Sequence, residues 1–217
     1  DGGNHGDKIT GHNGNDTILA GPGNDTVDGG GGDDEIRGGR GDDNLFGGKR
    51  PDVIFGEAGK DAIDGGVGGD TLDGGKDDDS IVGGTQYDTI RGGAGDDFLL
   101  GDDGRQFDED GTIVFFPGDD DTIWGQAGDD YLGGEGGDDT LYGGDGMDIV
   151  DGFQGDDLVN GGANNDLVTG GAGNDQVQGS SGTDRCWPEF LVVSVGTVPT
   201  NPNDSTSGCE QVNPVFN

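Results

Sequence analysis

The chain has 217 residues, a formal charge of -36, 53 glycines and 27% apolar residues. By composition alone this is an intrinsically disordered polymer, so a fold requires something that neutralises the acid. Distributed carboxylates with little clustered base exclude nucleic acid and an anionic membrane surface as partners, and no apolar run approaches the roughly 20 residues that span a bilayer.

No charged and then apolar leader opens the chain at Asp1, so it reads as a mature or excised product. From the first residues onward the order is a strict period. Asp7, Asp16, Asp25, Asp34, Asp43, Asp52, Asp61, Asp70, Asp79, Asp88 and Asp97 fall nine residues apart. After one interruption the series resumes at Asp121, Asp130, Asp139, Asp148, Asp157, Asp166, Asp175 and Asp184. Two residues after each Asp stands a branched aliphatic, from Ile9 to Leu99 and from Ile123 to Val177, with Cys186 closing the series. A nine-residue unit cannot bury an apolar face alone, so successive units must stack and share one core, which makes the chain a solenoid.

Residues 2 to 100 hold eleven units in register, of the form GGxGxDxUx, as in Gly38-Gly39-Arg40-Gly41-Asp42-Asp43-Asn44-Leu45-Phe46. The glycines supply the positive φ of a tight turn, and the three residues after Asp form a short strand whose middle side chain faces inward. The motif resembles the RTX calcium-binding nonapeptide. That resemblance implies an all-β, right-handed parallel β-roll with two nonapeptides per coil, and Ca2+ held between stacked turns by two Asp side chains and turn carbonyls. With two units per coil, Asp7 lies over Asp25 and Asp16 over Asp34, about 4.8 Å apart by ordinary strand spacing. Carboxylates that close repel unless a divalent ion lies between them, and calcium accepts six to eight mixed oxygen ligands. Pairing the units up both sides, separately before and after the interruption, predicts roughly 15 ions, bringing about +30 of charge. Non-glycine residues at the fourth place of the motif, His5, Arg50, Asp77, Gln86, Asp119 and Asn164, mark compromised turns or tolerated variants. Asp52, flanked by Lys49, Arg50 and Pro51, is expected to be the weakest site, whereas Asp77 and Asp119 are candidates for added ligands.

Residues 101 to 115 break the register, and their acids Asp102, Asp103, Asp108, Glu109 and Asp110 read as a solvated loop or an extra ion site within one solenoid. Residues 116 to 187 hold eight more units. Tyr131, Ile149 and Leu167 stand 18 apart at an outward place, as do Trp124 and Tyr142, so each set is a stripe for the chain's own tail or for another molecule. Residues 188 to 217 change composition, with the β-prone run Phe190-Leu191-Val192-Val193-Ser194-Val195 suited to capping the open end of the roll. Cys186 and Cys209, an even pair in an exported chain, read as one disulfide worth on the order of 3 kcal/mol, the alternative being two separate thiols. RTX-like proteins secreted in one step usually lack cysteine, so the pair departs from the family habit.

Millimolar calcium is an extracellular condition, which places the protein outside the cell. The Gly-x-Gly patterns precede neither a helix nor a Lys-Ser/Thr, so nucleotide binding is rejected. His5 and His12 lack a nucleophile partner, and Arg40-Gly41-Asp42 falls out of the repeat. Sequons at Asn15, Asn24 and Asn203 matter only in a glycosylating host. Identical carboxylate ladders are unlike a catalytic dyad with separated pKa values, so the chain reads as a non-enzyme. Two roles remain: a secreted structural protein that folds on calcium and assembles head to tail or laterally into a filament or matrix, or the folding and secretion module of a larger toxin, protease or lipase. An ice-binding or adhesive face would need regular rows of Thr, which are absent.

Overall fold

A computed structural model describes residues 1–102, 106–107, 113–114, 118–187, 205–207 and 209–210. The described residues contain no helix. Parallel strands form two long sheets, one beginning with Lys8–Thr10 and continuing through Thr26–Gly31 and Asn44–Lys49, the other beginning with Thr17–Pro22 and continuing through Glu35–Arg40 and Val53–Ala58. Consecutive strands alternate between sheets, so each coil contributes one strand to each, and partners within a sheet are 18 residues apart: Val27 pairs with Leu45 and Ile36 with Ile54. The fold is a β-solenoid of two nonapeptides per coil.

The core is the column of aliphatics expected from the period. Val27, Ile36, Leu45, Ile54, Leu72, Ile81, Ile90, Leu99, Ile123 and Leu132 are fully buried, and Val177 and Cys186 continue the column to the end. Strands are longer than the three residues predicted. Thr26–Gly31 runs six residues with buried Val27 and Gly29 alternating with less buried neighbours, because the hydrogen-bonded ladder continues through the first three places of the next unit. The turn proper is therefore confined to the fourth to sixth places. In the last coils of the first sheet the strands shorten to three residues, as at Tyr131–Gly133, Ile149–Asp151 and Leu167–Thr169.

The interruption is an insertion within one repeat unit, between its second and third places, and does not end either sheet. Ile90 pairs with Ile123 and Phe98 with Tyr131, a register step of 33 residues in place of 18. Gly101 and Asp102 stay in the roll, since Asp102 pairs with Gly84 and Gly101 faces Asp121 as Gly92 faces Asp97. The added residues are thus 103–117, two positions later than the sequence spacing placed them. Spacing alone misassigns this boundary because an insertion within a unit leaves the period intact on both sides. Within it, Gln106–Phe107 and Ile113–Val114 pair as antiparallel strands. Asp103, Asp108, Glu109 and Asp110 lie outside the described residues.

At the far end, Ser205–Ser207 extends the second sheet beside Gln176–Ser181, and Cys209–Glu210 extends the first beside Asp184–Trp187. The apolar run Phe190–Val195 and Asn203 lie outside the described residues. At the opposite end, Lys8–Thr10 and Thr17–Pro22 each pair on one side only among the described residues. No helix among them is long and apolar enough to cross a membrane.

Candidate metal centre

The turn that follows each strand brings its Asp inward. Asp25, Asp34, Asp43, Asp52, Asp61, Asp70, Asp79, Asp88, Asp97, Asp121, Asp130, Asp139, Asp148, Asp157, Asp166, Asp175 and Asp184 are at most 3% exposed, whereas Asp7 and Asp16 in the first coil are half-buried. From Asp25 onward each carboxylate reaches back one coil. The backbone N–H of Asp25 donates to Asp43 Oδ1 at 2.7 Å, that of Asp34 to Asp52 Oδ1 at 2.8 Å, and that of Asp139 to Asp157 Oδ1 at 2.8 Å. The ladder crosses the insertion unbroken, with Asp88 N–H on Asp121 Oδ1 at 2.7 Å and Asp97 N–H on Asp130 Oδ1 at 2.9 Å. The Asp main-chain carbonyls are also used, as where Asp25 O accepts the Asn44 N–H at 2.9 Å.

One atom per Asp is left over. Oδ2 of every ladder Asp, from Asp7 to Asp184, is buried without a hydrogen-bond partner. Burying an anionic oxygen with nothing to satisfy it is costly, and repeating that at each unit implies a missing counter-charge. The motif's first glycine makes room for this oxygen. A Cβ at Gly29 would sit 2.7 Å from Asp34 Oδ2 and 2.7 Å from the Gly47 carbonyl oxygen of the next coil; at Gly47 both distances, to Asp52 Oδ2 and the Gly65 carbonyl, are 2.6 Å. An orphaned carboxylate oxygen and a carbonyl oxygen from the adjoining coil therefore flank the same small space. Among the described residues, no three Asp, Glu, His or Cys side chains converge as a cluster that could hold an ion. Carboxylate plus carbonyl is the donor set of a hard, oxygen-loving cation, so the residues present fit calcium.

Electrostatics agree. Without a cation, burial pushes the carboxyls upward, with neighbouring ladder carboxylates adding to the rise and the backbone N–H opposing it: Asp43 to about 6, Asp52 to about 7, Asp79 to about 8 and Asp139 to about 9. A resident divalent ion reverses that balance by favouring the ionised form.

Of the two readings of the variant fourth places, the tolerated turn describes the backbone at Arg50, Asp77, Gln86 and Asn164. Arg50, Asp77, Gln86 and Asn164 at the fourth place keep the glycine-like conformation, with φ of 78°, 72°, 76° and 83°, so the turn persists at some cost in strain. Arg50 turns outward to pair with Asp33 Oδ1 at 2.8 Å, and Asp52 keeps the same buried, orphaned surroundings as its neighbours. Asp119 Oδ2 accepts the Gln86 N–H at 2.8 Å. A different exception stands at the first place: Ala20 replaces the first glycine before Asp25, and its side chain is fully buried. The signal was available, since the first place is glycine before every other ladder Asp, counting Gly101 for Asp121. The outward stripes are in register: Tyr131 pairs with Ile149, Ile149 with Leu167, and Trp124 with Tyr142. Phe98 extends the first stripe, stacked on Tyr131 with ring centroids 5.0 Å apart.

The model of the RTX calcium-binding nonapeptide repeat matches residues 1–36, 37–72, 73–105, 118–150, 133–168 and 151–186, passing over most of the insertion. No curated protein matched the chain. With the buried Asp ladder, the glycine cradles and the matched repeats together, the chain belongs to the RTX calcium-binding nonapeptide repeat family.

Proposed function

We propose that this protein is a secreted, structural calcium-binding module that folds as its turns take up Ca2+, one for each pair of stacked ladder Asp; the two pairs that cross the insertion, Asp88 with Asp121 and Asp97 with Asp130, raise the roughly 15 ions expected from the spacing to about 17. The observation that carries the reading is the row of buried, partnerless Oδ2 atoms from Asp7 to Asp184. Calcium supplies the positive charge those oxygens lack, and the chain supplies the rest: glycine cradles to admit the ion, Asp Oδ1 to tie coil to coil, and an aliphatic column that closes once the turns are set. The binding free energy of the ions then becomes folding free energy.

Assembly is the second part of the proposal. Lys8–Thr10 and Thr17–Pro22 present edges with one partner each among the described residues, and a parallel edge of this kind accepts another strand from a second copy or from a neighbouring domain. We favour head-to-tail stacking of copies into a filament or matrix; the other reading is a calcium-dependent folding and secretion module of a larger toxin, protease or lipase, which the same open edge supports. Residues 188–217 act as the cap of the last coil, supported by the two short strands at 205–207 and 209–210 that continue both sheets. A Cys186–Cys209 disulfide would fasten that cap; the strand bearing Cys209 pairs beside the strand bearing Cys186, with Cys209 opposite Asp184. Electron microscopy of the purified chain in millimolar calcium and after chelation tests the assembly. Filaments that form with calcium and dissolve on chelation support stacking of copies, and monodisperse rods at all concentrations rule it out in favour of the detached module.

A further inference from the structure

The insertion creates a turn unlike the others. Its first half comes from Gly101 and Asp102 and its second from Gly118, Asp119, Asp120 and Asp121, so Asp102 occupies the place where the motif has its second glycine. Asp102 is 8% exposed. Its Oδ2 accepts the Asp119 N–H at 3.4 Å, which ties the two ends of the insertion together. A Cβ at Gly118 would lie 2.5 Å from Asp102 Oδ2 and would also strike the Gly136 carbonyl of the next coil, so the carboxylate sits in the gap between this turn and the turn of residues 134–139.

That gap is already a ladder position. A Cβ at Gly101 would meet Asp121 Oδ2 and, at 2.8 Å, the Gly134 carbonyl oxygen. Asp121 and Asp139 are 2% and 1% exposed, and the Oδ2 of each is buried without a partner. Elsewhere two carboxylates bound such a gap; here Asp102 brings another. Burial raises the carboxyls of Asp88, Asp121 and Asp139, and the charge of Asp102 adds to the rise at all three.

We propose that the gap between the insertion-bearing turn and residues 134–139 is the tightest calcium position of the chain, with Asp102 as a buried additional carboxylate that strengthens the site formed with Asp121 and Asp139 and fastens the root of the insertion to the metal. Asp102 does not converge with the other two as a third side-chain cluster in the metal-free geometry; its contribution is charge beside the ion, and affinity at oxygen sites rises with carboxylate count. A tight ion in the middle of the roll gives stacking a starting point from which coils add in both directions, as solenoids nucleate locally and propagate. The inference rests on the calcium reading above.

Equilibrium dialysis against buffered free calcium, with bound metal counted by mass spectrometry, tests it. The native chain is expected to retain about one ion at free calcium about tenfold or more below the level that fills the rest. Asp102→Gly, which restores the motif residue, and Asp102→Asn, which keeps the shape, are both expected to lose that early ion while filling the remaining sites and reaching the native circular dichroism at saturation. Asp129→Asn removes the same charge from an exposed place and is expected to keep it. Retention of the early ion by Asp102→Asn, or its absence in the native chain, overturns the proposal. No calcium uptake by any of the chains overturns the calcium reading itself.

Discussion

Asp42 and Asp43 are neighbours in sequence, and each belongs to a row that repeats every 18 residues, yet the two rows have opposite fates. Asp43 is 1% exposed, reaches toward the preceding coil to accept the Asp25 N–H, and keeps an unsatisfied Oδ2. Asp42 is exposed and accepts the Lys60 N–H of the following coil at 3.0 Å. The outer row is mixed, with Asn24, Asp42, Lys60, Asp78, Asp96, Asp129 and Met147 in succession, because an exposed side chain at that place has no buried charge to balance and many residue types are tolerated. The inner row is Asp at every rung. A carboxylate's role in this chain is thus set by the side of the turn from which it leaves the backbone, and the total acid content overstates the number of metal ligands.

Substitution is the sharpest way to break the comparison. Asp43→Asn with Asp61→Asn should remove the ions of adjoining gaps and, by leaving buried groups without compensation, cost on the order of 3 kcal/mol per position. The paired outer change, Asp42→Asn with Asp78→Asn, should leave ion count unchanged and stability within about 0.5 kcal/mol per position. Thermal unfolding in saturating calcium, together with metal counting, compares the two directly. An outer pair as damaging as the inner pair would erase the distinction.

Acid provides the next test. In the fold without a cation, burial lifts carboxyls of the inner row above their ordinary 3.8, to about 6 for Asp43 and about 9 for Asp88 and Asp139. The metal-free fold therefore holds more protons than the unfolded chain. Its stability from these groups is fully present below about pH 4 and is lost as pH rises through 6 to 9. The chelated chain should gain β signal by circular dichroism on going from pH 9 to pH 4. Calcium uptake runs in the opposite sense, weakening as pH falls, because the ligands bind as carboxylates.

The smallest expected effect concerns Ala20. Restoring glycine there should tighten calcium at the gap beside Asp25 by up to about tenfold, or raise the bound count by one, since calcium affinity follows the fit of its oxygen ligands. The gain is offset in part by about 0.5–1 kcal/mol of backbone entropy. Calcium titration of Ala20→Gly beside the native chain reads it.

The period made the roll, its two-unit coil and its ladder legible, because Asp and the aliphatic two places later must each point inward at every rung. Three features were hidden for physical reasons. The insertion sits between the second and third places of a unit, where spacing cannot distinguish Gly101 and Asp102 from the loop that follows. Strands run into the glycines because positive-φ residues still join the inter-coil ladder, as Gly30 does with Gly48. The adjacency of Arg50 to Asp52 in sequence does not show that its guanidinium pairs with the exposed Asp33 of the preceding coil.

The central claim is that the inner ladder is a metal ladder. Far-ultraviolet circular dichroism at neutral pH, followed against free calcium with bound ions counted in the same samples, tests it most directly. The account predicts a disordered chain in chelator and a cooperative rise of β signal that tracks the uptake of about 17 ions, one per stacked Asp pair. Full β signal in excess chelator at neutral pH would contradict it, because the buried Oδ2 row would then be tolerated without a cation.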